Sequence, residues 1–294
     1  MSQEPVPGAR VAAEVAQLFD EAKIPSILWG WLAISLVGDA DGFPEVDFVI
    51  PDHYIVQAII TLAKKYPSCA DGKCLSWQED RAAQGEYSNN LRYILACNRF
   101  HYPAVTHYHA GGEVVLYLMK KSEILFWLPD YEAGPPRAND GHLTVSSCPL
   151  LPPAYPAGPT GPWSELYPIQ MLNPNSLTEA VLYLLARDLP NPEYFRPHTG
   201  QVWRDMKFAL ADCKDTPRAV ASQAYRRYLK PECRLTWDYL NGRKPEGHAR
   251  NIILFLWRKH LIDTRVLPAK LTEWNYSGFS GWNEVKSFMR DDTA

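Results

Sequence analysis

Glu45-Val46-Asp47 sets two carboxylates two positions apart in a strand-forming run that continues Phe48-Val49-Ile50. Residues two apart on a strand share a face, so Glu45 and Asp47 converge on one point. Carboxylate oxygens at that spacing suit Mg²⁺, which also takes phosphate oxygens from a substrate. Upstream, Gly30 stands where an apolar strand over residues 24–30 gives way to helical turns over 31–37, closed by Gly38. Backbone N–H groups at such a turn can hold phosphate. Gly30 is therefore the candidate residue for binding a phosphate group, and Glu45 and Asp47 are the candidate metal ligands. The competing reading is a solvated or capped acid pair with no cation between them.

Other residues with chemical potential carry weaker signals. His107 and His109 share a strand face near His101, a pattern that metal sites use but exposed strands show more often. Tyr108 and Tyr117 would donate hydrogen bonds if they faced a cavity. Cys69 and Cys74 lack a second close pair to complete a zinc site, and the six cysteines are otherwise scattered. No Gly-x-Ser-x-Gly elbow is present. Arg226-Arg227 and Arg243-Lys244 read as solvated faces. Aromatics reach 12%, with 10 Trp and 16 Tyr, which makes an aromatic-lined cavity easy to build.

The elements that would position these groups follow from periodicity. Residues 10–22 have the apolar spacing of an amphipathic helix, with Val11, Val15, Leu18 and Phe19 on one side. Pro51 stops the acid-bearing strand, and Asp52 caps a helix over 53–66. Branched and aromatic residues predict strands over 92–97, 104–108, 114–119 and 123–128, with Gly111-Gly112 as a turn. Ten of the 25 prolines fall in residues 129–168, so that stretch forms neither a long helix nor a central strand. It is either an irregular linker or a long loop over a binding site; residues 143–146 are its one short strand. Ser176-Leu177-Thr178-Glu179 reads as a capping box for a helix ending near Leu189. Further helices fit 201–213, 217–229 and 247–261. The expected organisation is an α/β (α+β) mixed-sheet domain over 1–128, a Pro-rich crossing over 129–168, and a helical region over 169–294.

The order strand, glycine turn, short helix, polar loop, strand with two acids resembles the nucleotidyltransferase superfamily, especially its divergent fungal branch. Gly30, Gly38, Glu45 and Asp47 fall on that pattern, as do the run from Asp47 to Asp52 and the stretch from Ser176 to Asp188. The resemblance implies a nucleotidyltransferase-like mixed sheet, Mg²⁺ and a nucleoside triphosphate as cofactors, and a third acid from a later strand, for which Glu113 and Glu123 are candidates. Three departures erode the motif. Trp31 replaces the small residue after the turn glycine, Glu45 replaces an aspartate, and Asp41 stands where a basic residue is usual. An indole at Trp31 favours an apolar ligand over a triphosphate. The reading that follows is a repurposed fold needing no cofactor, which holds an apolar small molecule and guides its cyclisation, similar to the norbornene-forming Diels–Alderases of sordarin-type fungal pathways. Trp31, Glu45, Asp47, Tyr108 and Tyr117 are its candidate catalytic residues. Its cavity is expected between the two halves, roofed by Tyr131, Tyr155, Trp163 and Tyr167. The alternatives are a Mg²⁺-dependent nucleotidyltransferase and a binding protein without catalysis.

Bulk properties narrow the partners. The net charge of -3 leaves no basic surplus for phosphate backbones, so nucleic acid is not an expected partner. No apolar run approaches the roughly 20 residues of a membrane span, and residues 1–10 lack a secretory apolar core, so a cytoplasmic protein without membrane association is expected. Hydrophobic residues at 46% suffice for a full core.

Overall fold

The computed structural model describes residues 8–38, 45–66, 106–109, 114–154, 159–188, 206–207, 210, 227–242 and 256–267. The elements run α1 (Ala9–Glu21), β1 (Ile27–Trp29), α2 (Gly30–Ser35), β2 (Glu45–Ile50), a 3-10 turn (Asp52–Tyr54), α3 (Ile55–Ala63), β3 (Thr106–His109), β4 (Val115–Lys120), α4 (Lys121–Ile124), β5 (Leu143–Val145), β6 (Gln170–Leu172), α5 (Pro174–Asp188) and α6 (Pro231–Gly242). Residues 256–263 are also helical. The expected strand over 92–97 lies outside the described residues, as do most of the expected helices over 217–229 and 201–213; residues 227–229, which are described, are turn rather than helix.

The protein is α/β, with a mixed sheet of six described strands in the order β3-β4-β2-β1-β6-β5. β1 runs antiparallel to β2 and parallel to β6, and β2 runs parallel to β4. Ile27, Leu28 and Trp29 are all buried because β1 is central and covered on both faces. The helix α1 turns Ala12, Val15, Ala16 and Phe19 inward. The ring of Phe19 meets Phe48 of β2 edge-on at 5.6 Å, an arrangement that adds roughly 0.5–1.5 kcal/mol beyond area burial. Phe48 thus points to the α1 side of the sheet, and strand alternation sends Asp47 to the other.

Strands from all three sequence segments join this one sheet. β5 arises within residues 129–168 and β6 just after it, and they pair with each other while β6 pairs with β1. The Pro-rich stretch is accordingly tied down at several of its described residues. Asp20 of α1 accepts from Gly134 N at 2.7 Å and from the Tyr167 hydroxyl at 2.8 Å, fastening two distant points of the stretch to one helix. Thr160 N donates to Ser35 O at the end of α2.

Three local expectations change. Residues 123–128 are not a strand: α4 starts at Lys121, where Asp52 accepts from both the N and Oγ of Ser122, and Leu125 N then bonds Lys121 O. A long-range cap overrides the β propensity of Ile124, Leu125 and Phe126. α5 starts earlier than the capping box implies, because Asn173 is the cap: its Oδ1 accepts from Ser176 N at 2.9 Å, and Pro174 occupies the first helical turn. β6 and α6 are elements that periodicity misses; β6 has only three residues, too few to show a period. No helix among the described residues is long and apolar enough to cross a membrane.

The clamp at Asp20 has a pH signature. Burial, then the hydrogen bond to Asp20, pushes the Tyr167 phenol up from 10.0 to about 12. A raised pKa in the folded state means that the neutral phenol stabilises the fold. That contribution is complete below pH ~10 and is lost as pH rises through ~12. Tyr167→Phe should flatten the decline in urea stability over this window, and Asp20→Ala should lower stability at neutral pH by about 2 kcal/mol through loss of two bonds to a carboxylate. An unchanged urea midpoint for Asp20→Ala would exclude the clamp.

Candidate functional site

Trp29 of β1 pairs with Asp47 of β2, so the chain enters α2 directly beside the second acid. Gly30 follows with φ +72, a conformation that L side chains rarely adopt. A Cβ placed on Gly30 would lie 2.0 Å from Asp47 Oδ2 and 3.0 Å from its Cγ. The carboxylate of Asp47 therefore packs against the bare Cα of Gly30, at the first turn of α2 where backbone N–H groups lack helical partners and a negative charge is favoured. Asp47 is 2% exposed, whereas Glu45, at the outer end of the strand, is half-buried. Both take part in polar or electrostatic interactions within the protein.

The register extends this arrangement into a row. Asp47 pairs with Tyr117 on the parallel strand β4, and Tyr117 pairs in turn with His107 on β3. In-register neighbours share a face, so Trp29, Asp47 and Tyr117 stand side by side. All three are buried. Tyr108 pairs with Leu116, one place off that row, so the two candidate tyrosines do not share a cross-strand position. Trp31 is half-buried and packs against the core.

A Mg²⁺ site built on Glu45 and Asp47 needs a further hard oxygen donor from the neighbouring strand. The residue beside Asp47 on β4 is Tyr117, a phenol. Glu123 is not at a strand edge; it belongs to α4, where its carbonyl accepts from Arg187. Glu113 lies outside the described residues. Among the described residues no three His, Cys, Asp or Glu side chains come together as a metal set. Among the described residues, the side chains beside Asp47 on the neighbouring strands are an indole and a phenol, which are poor Mg²⁺ ligands.

Three of the aromatics expected to roof the cavity are held by hydrogen bonds within the protein. The Tyr131 hydroxyl donates to Val49 O at 3.0 Å, and burial drives its pKa far above the ordinary phenol range. Trp163 donates to Thr160 Oγ1 at 3.0 Å, and Tyr167 is held by Asp20. Tyr155 lies outside the described residues. Two clefts formed by described residues measure about 760 and 230 Å³, and neither is lined by Trp31, Asp47 or Tyr117. The smaller runs along residues 128–143, inside the Pro-rich stretch.

Sequence reasoning misses a second polar cluster, built on one face of α5. Ser176, Glu179 and Tyr183 follow helical spacing. Ser176 Oγ lies 3.1 Å from His142 Nδ1. Glu179, 5% exposed at its side chain, accepts from Lys230 N at 2.9 Å and pairs with Lys230 Nζ at 3.2 Å. The ammonium sits 5.4 Å over the Trp127 ring and 5.6 Å over the Tyr183 ring. Trp257 stacks on Tyr183 at 6.0 Å. Lys230 thus fills an aromatic box with a carboxylate floor, an arrangement that ordinarily holds organic cations. Glu179, which pattern reading assigns to a cap, is instead the anion of this box. Its signal in the sequence is the 3-and-4 spacing from Ser176 to Tyr183 alone, since Lys230 arrives from far along the chain.

Below Tyr183, burial pushes the Cys233 thiol well above its ordinary range. Cys233 should therefore resist thiol reagents in the folded protein at pH 8 and react only on unfolding. Half-exposed Cys148 provides the internal comparison.

No family model, no curated protein and no solved structure matches the chain. The residues of the site are thus the basis for any functional reading.

The packing of Asp47 on Gly30 yields a direct test. Gly30→Ala should lower stability by about 3 kcal/mol or more, from the left-handed backbone and the overlap together. The same change should cost less in an Asp47→Ala background, because the overlap is gone while the backbone strain remains. Equal costs in both backgrounds would mean that the carboxylate does not press on Gly30.

Proposed function

We propose that this chain is a repurposed nucleotidyltransferase-like protein that binds an apolar small molecule and promotes its cyclisation without a metal-held nucleotide. The observation that carries the reading is the pairing of Asp47 with Tyr117. The resemblance implies a third carboxylate from a later strand, and on β4, the later strand that pairs with β2, the place beside Asp47 holds a buried phenol. Two further features support it. Asp47 is drawn against Gly30 rather than standing clear of the turn, and Trp31 widens the apolar character of the same turn. Fold and activity separate readily in this way, because function resides in the side chains of a site.

Such a catalyst works by holding the two reacting ends of one molecule in contact, which replaces the entropy lost in ordering them. A hydrogen bond to a carbonyl at one end adds electronic activation. Trp31 is the candidate shaping residue and Tyr117 the candidate donor. The chemistry is that of a Diels–Alder-type cyclase, and it draws on no cofactor. Glu45 and Asp47 are then remnants of the older layout, with Asp47 kept for its packing role.

Two measurements separate this reading from nucleotide transfer. Titration of the protein with Mg²⁺–ATP by calorimetry should give no heat of binding, and a dissociation constant in the low micromolar range would restore the transferase. In a thermal-shift screen, apolar polycyclic compounds should raise the melting temperature with or without chelator, since a ligand of the native state stabilises it by mass action. Shifts that vanish on adding chelator would reject the metal-free mechanism.

A further inference from the structure

Beyond the carboxyl ends of the parallel strands β2 and β4 lies the cleft of about 760 Å³, within the roughly 300–1,000 Å³ range of small-molecule sites. Open α/β sheets bind ligands outside the carboxyl ends of their strands. One wall is the chain leaving β2 and β4, including Pro51 and Phe126. The other is the end of the helical run 256–263, with Ile262, Val266 and Leu267. The cleft is thus framed by apolar surface from opposite ends of the sequence.

Of its polar residues, Asp52, Ser122, Lys121 and Asp130 are engaged with one another, while the His53 ring packs on Tyr54. Asp52 accepts from Ser122 N at 3.0 Å and from Ser122 Oγ at 2.6 Å. Lys121 Nζ pairs with Asp130 at 3.0 Å. Arg265 differs. It is exposed and lines the cleft, its backbone N donates to Ile262 O, and no described residue makes an ion pair or hydrogen bond with its guanidinium. Its backbone sits at φ 61, closing the helix through Val266 N to Leu261 O. That place ordinarily favours glycine. Lys23 ends α1 in the same way at φ 58, so the conformation by itself marks no site. What marks Arg265 is an uncommitted guanidinium at the mouth of an apolar cleft.

We propose that this cleft binds an apolar small molecule bearing a single carboxylate, with Arg265 holding the carboxylate and the Pro51, Phe126, Ile262 and Val266 surfaces covering the apolar body. This rests on the apolar-ligand reading above for the class of ligand alone, since neither Trp31 nor Tyr117 lines the cleft, and it adds the charge of that ligand. A guanidinium pairs with a carboxylate through two parallel hydrogen bonds. The ligand group carries one charge rather than two, because the Asp52 carboxylate in the same lining opposes a dianion more than a monoanion.

Calorimetry and thermal shift with adamantane-1-carboxylate and dehydroabietate, each beside its methyl ester, test the assignment. Both acids should bind, at least one of them about tenfold more tightly than its ester. Arg265→Gly should remove that preference while leaving ester binding unchanged. The glycine variant suits the left-handed backbone, so its fold is retained, and its melting temperature without ligand checks this. Inorganic phosphate should not bind. Esters that bind as well as the acids, or acid binding indifferent to Arg265→Gly, would overturn the carboxylate assignment while leaving the apolar-ligand reading intact. Failure of all four compounds to bind would overturn both.

Discussion

The packing of the Asp47 carboxylate on the Cα of Gly30 fixes the centre of the molecule. β1 and β2 are antiparallel, and their register brings Trp29 opposite Asp47. One residue later the chain must leave the sheet, and only a residue without Cβ can turn there at φ +72 with a carboxylate so near. Once that turn is made, α2 lies across β2, and the end of α2 at Ser35 receives Thr160 from the Pro-rich stretch. The same stretch then returns to place β6 beside β1. The contact between one glycine and one carboxylate thus sets where two segments distant in sequence can dock. A carboxylate this deeply buried is costly unless its charge is met, and the first turn of α2 is where the backbone can meet it.

The pattern around this contact is legible in the sequence because each part is local. The alternation in residues 45–50, the helical turns after Gly30 and the stop at Pro51 all depend on near neighbours, and β2 and α2 appear where the spacing puts them; α3 follows too, but over Ile55–Ala63 and without the expected Asp52 cap, because that carboxylate turns to Ser122 instead. The elements that escape depend on distant partners. Ser122 is capped by Asp52 from another part of the chain, which turns a strand-like run into α4. β6 exists because β1 offers it an edge. The start of α5 shifts because Asn173 and Pro174 make a stronger cap than Ser176 and Glu179, and that frees the latter pair for His142 and Lys230.

The candidate site was legible in its types but not in its neighbours. That Glu45 and Asp47 share a strand is a statement about period two. Which residue stands beside Asp47 is a statement about register between β2 and β4, and nothing within either strand specifies it. Of the two acidic candidates for a third ligand, Glu123 lies in α4 and Glu113 falls outside the described residues, while the residue paired with Asp47 on β4 is Tyr117. Trp31 is the converse case. Its size marked it in the sequence, and its effect on the turn depends on packing against the core that spacing alone does not determine.

The two charged clusters differ in the direction that matters for ligand recognition. Lys230 is satisfied four ways, by the carboxylate of Glu179, the hydroxyl of Tyr183 and the faces of two aromatic rings. Any ligand cation entering that box must first displace a covalently tethered one, whose effective concentration is high. The box therefore serves to lock α5 to the segment that begins α6. At the mouth of the larger cleft the balance is reversed. Lys121 and Asp130 cancel, Asp52 is occupied in capping α4, and the Arg265 guanidinium has no partner among the described residues beside the apolar walls. An unspent charge next to apolar surface discriminates between ligands, since it rewards the molecule that carries both a complementary charge and enough hydrocarbon to cover the walls. A cluster whose charges are all met holds the fold together, and one with a remainder can select a partner.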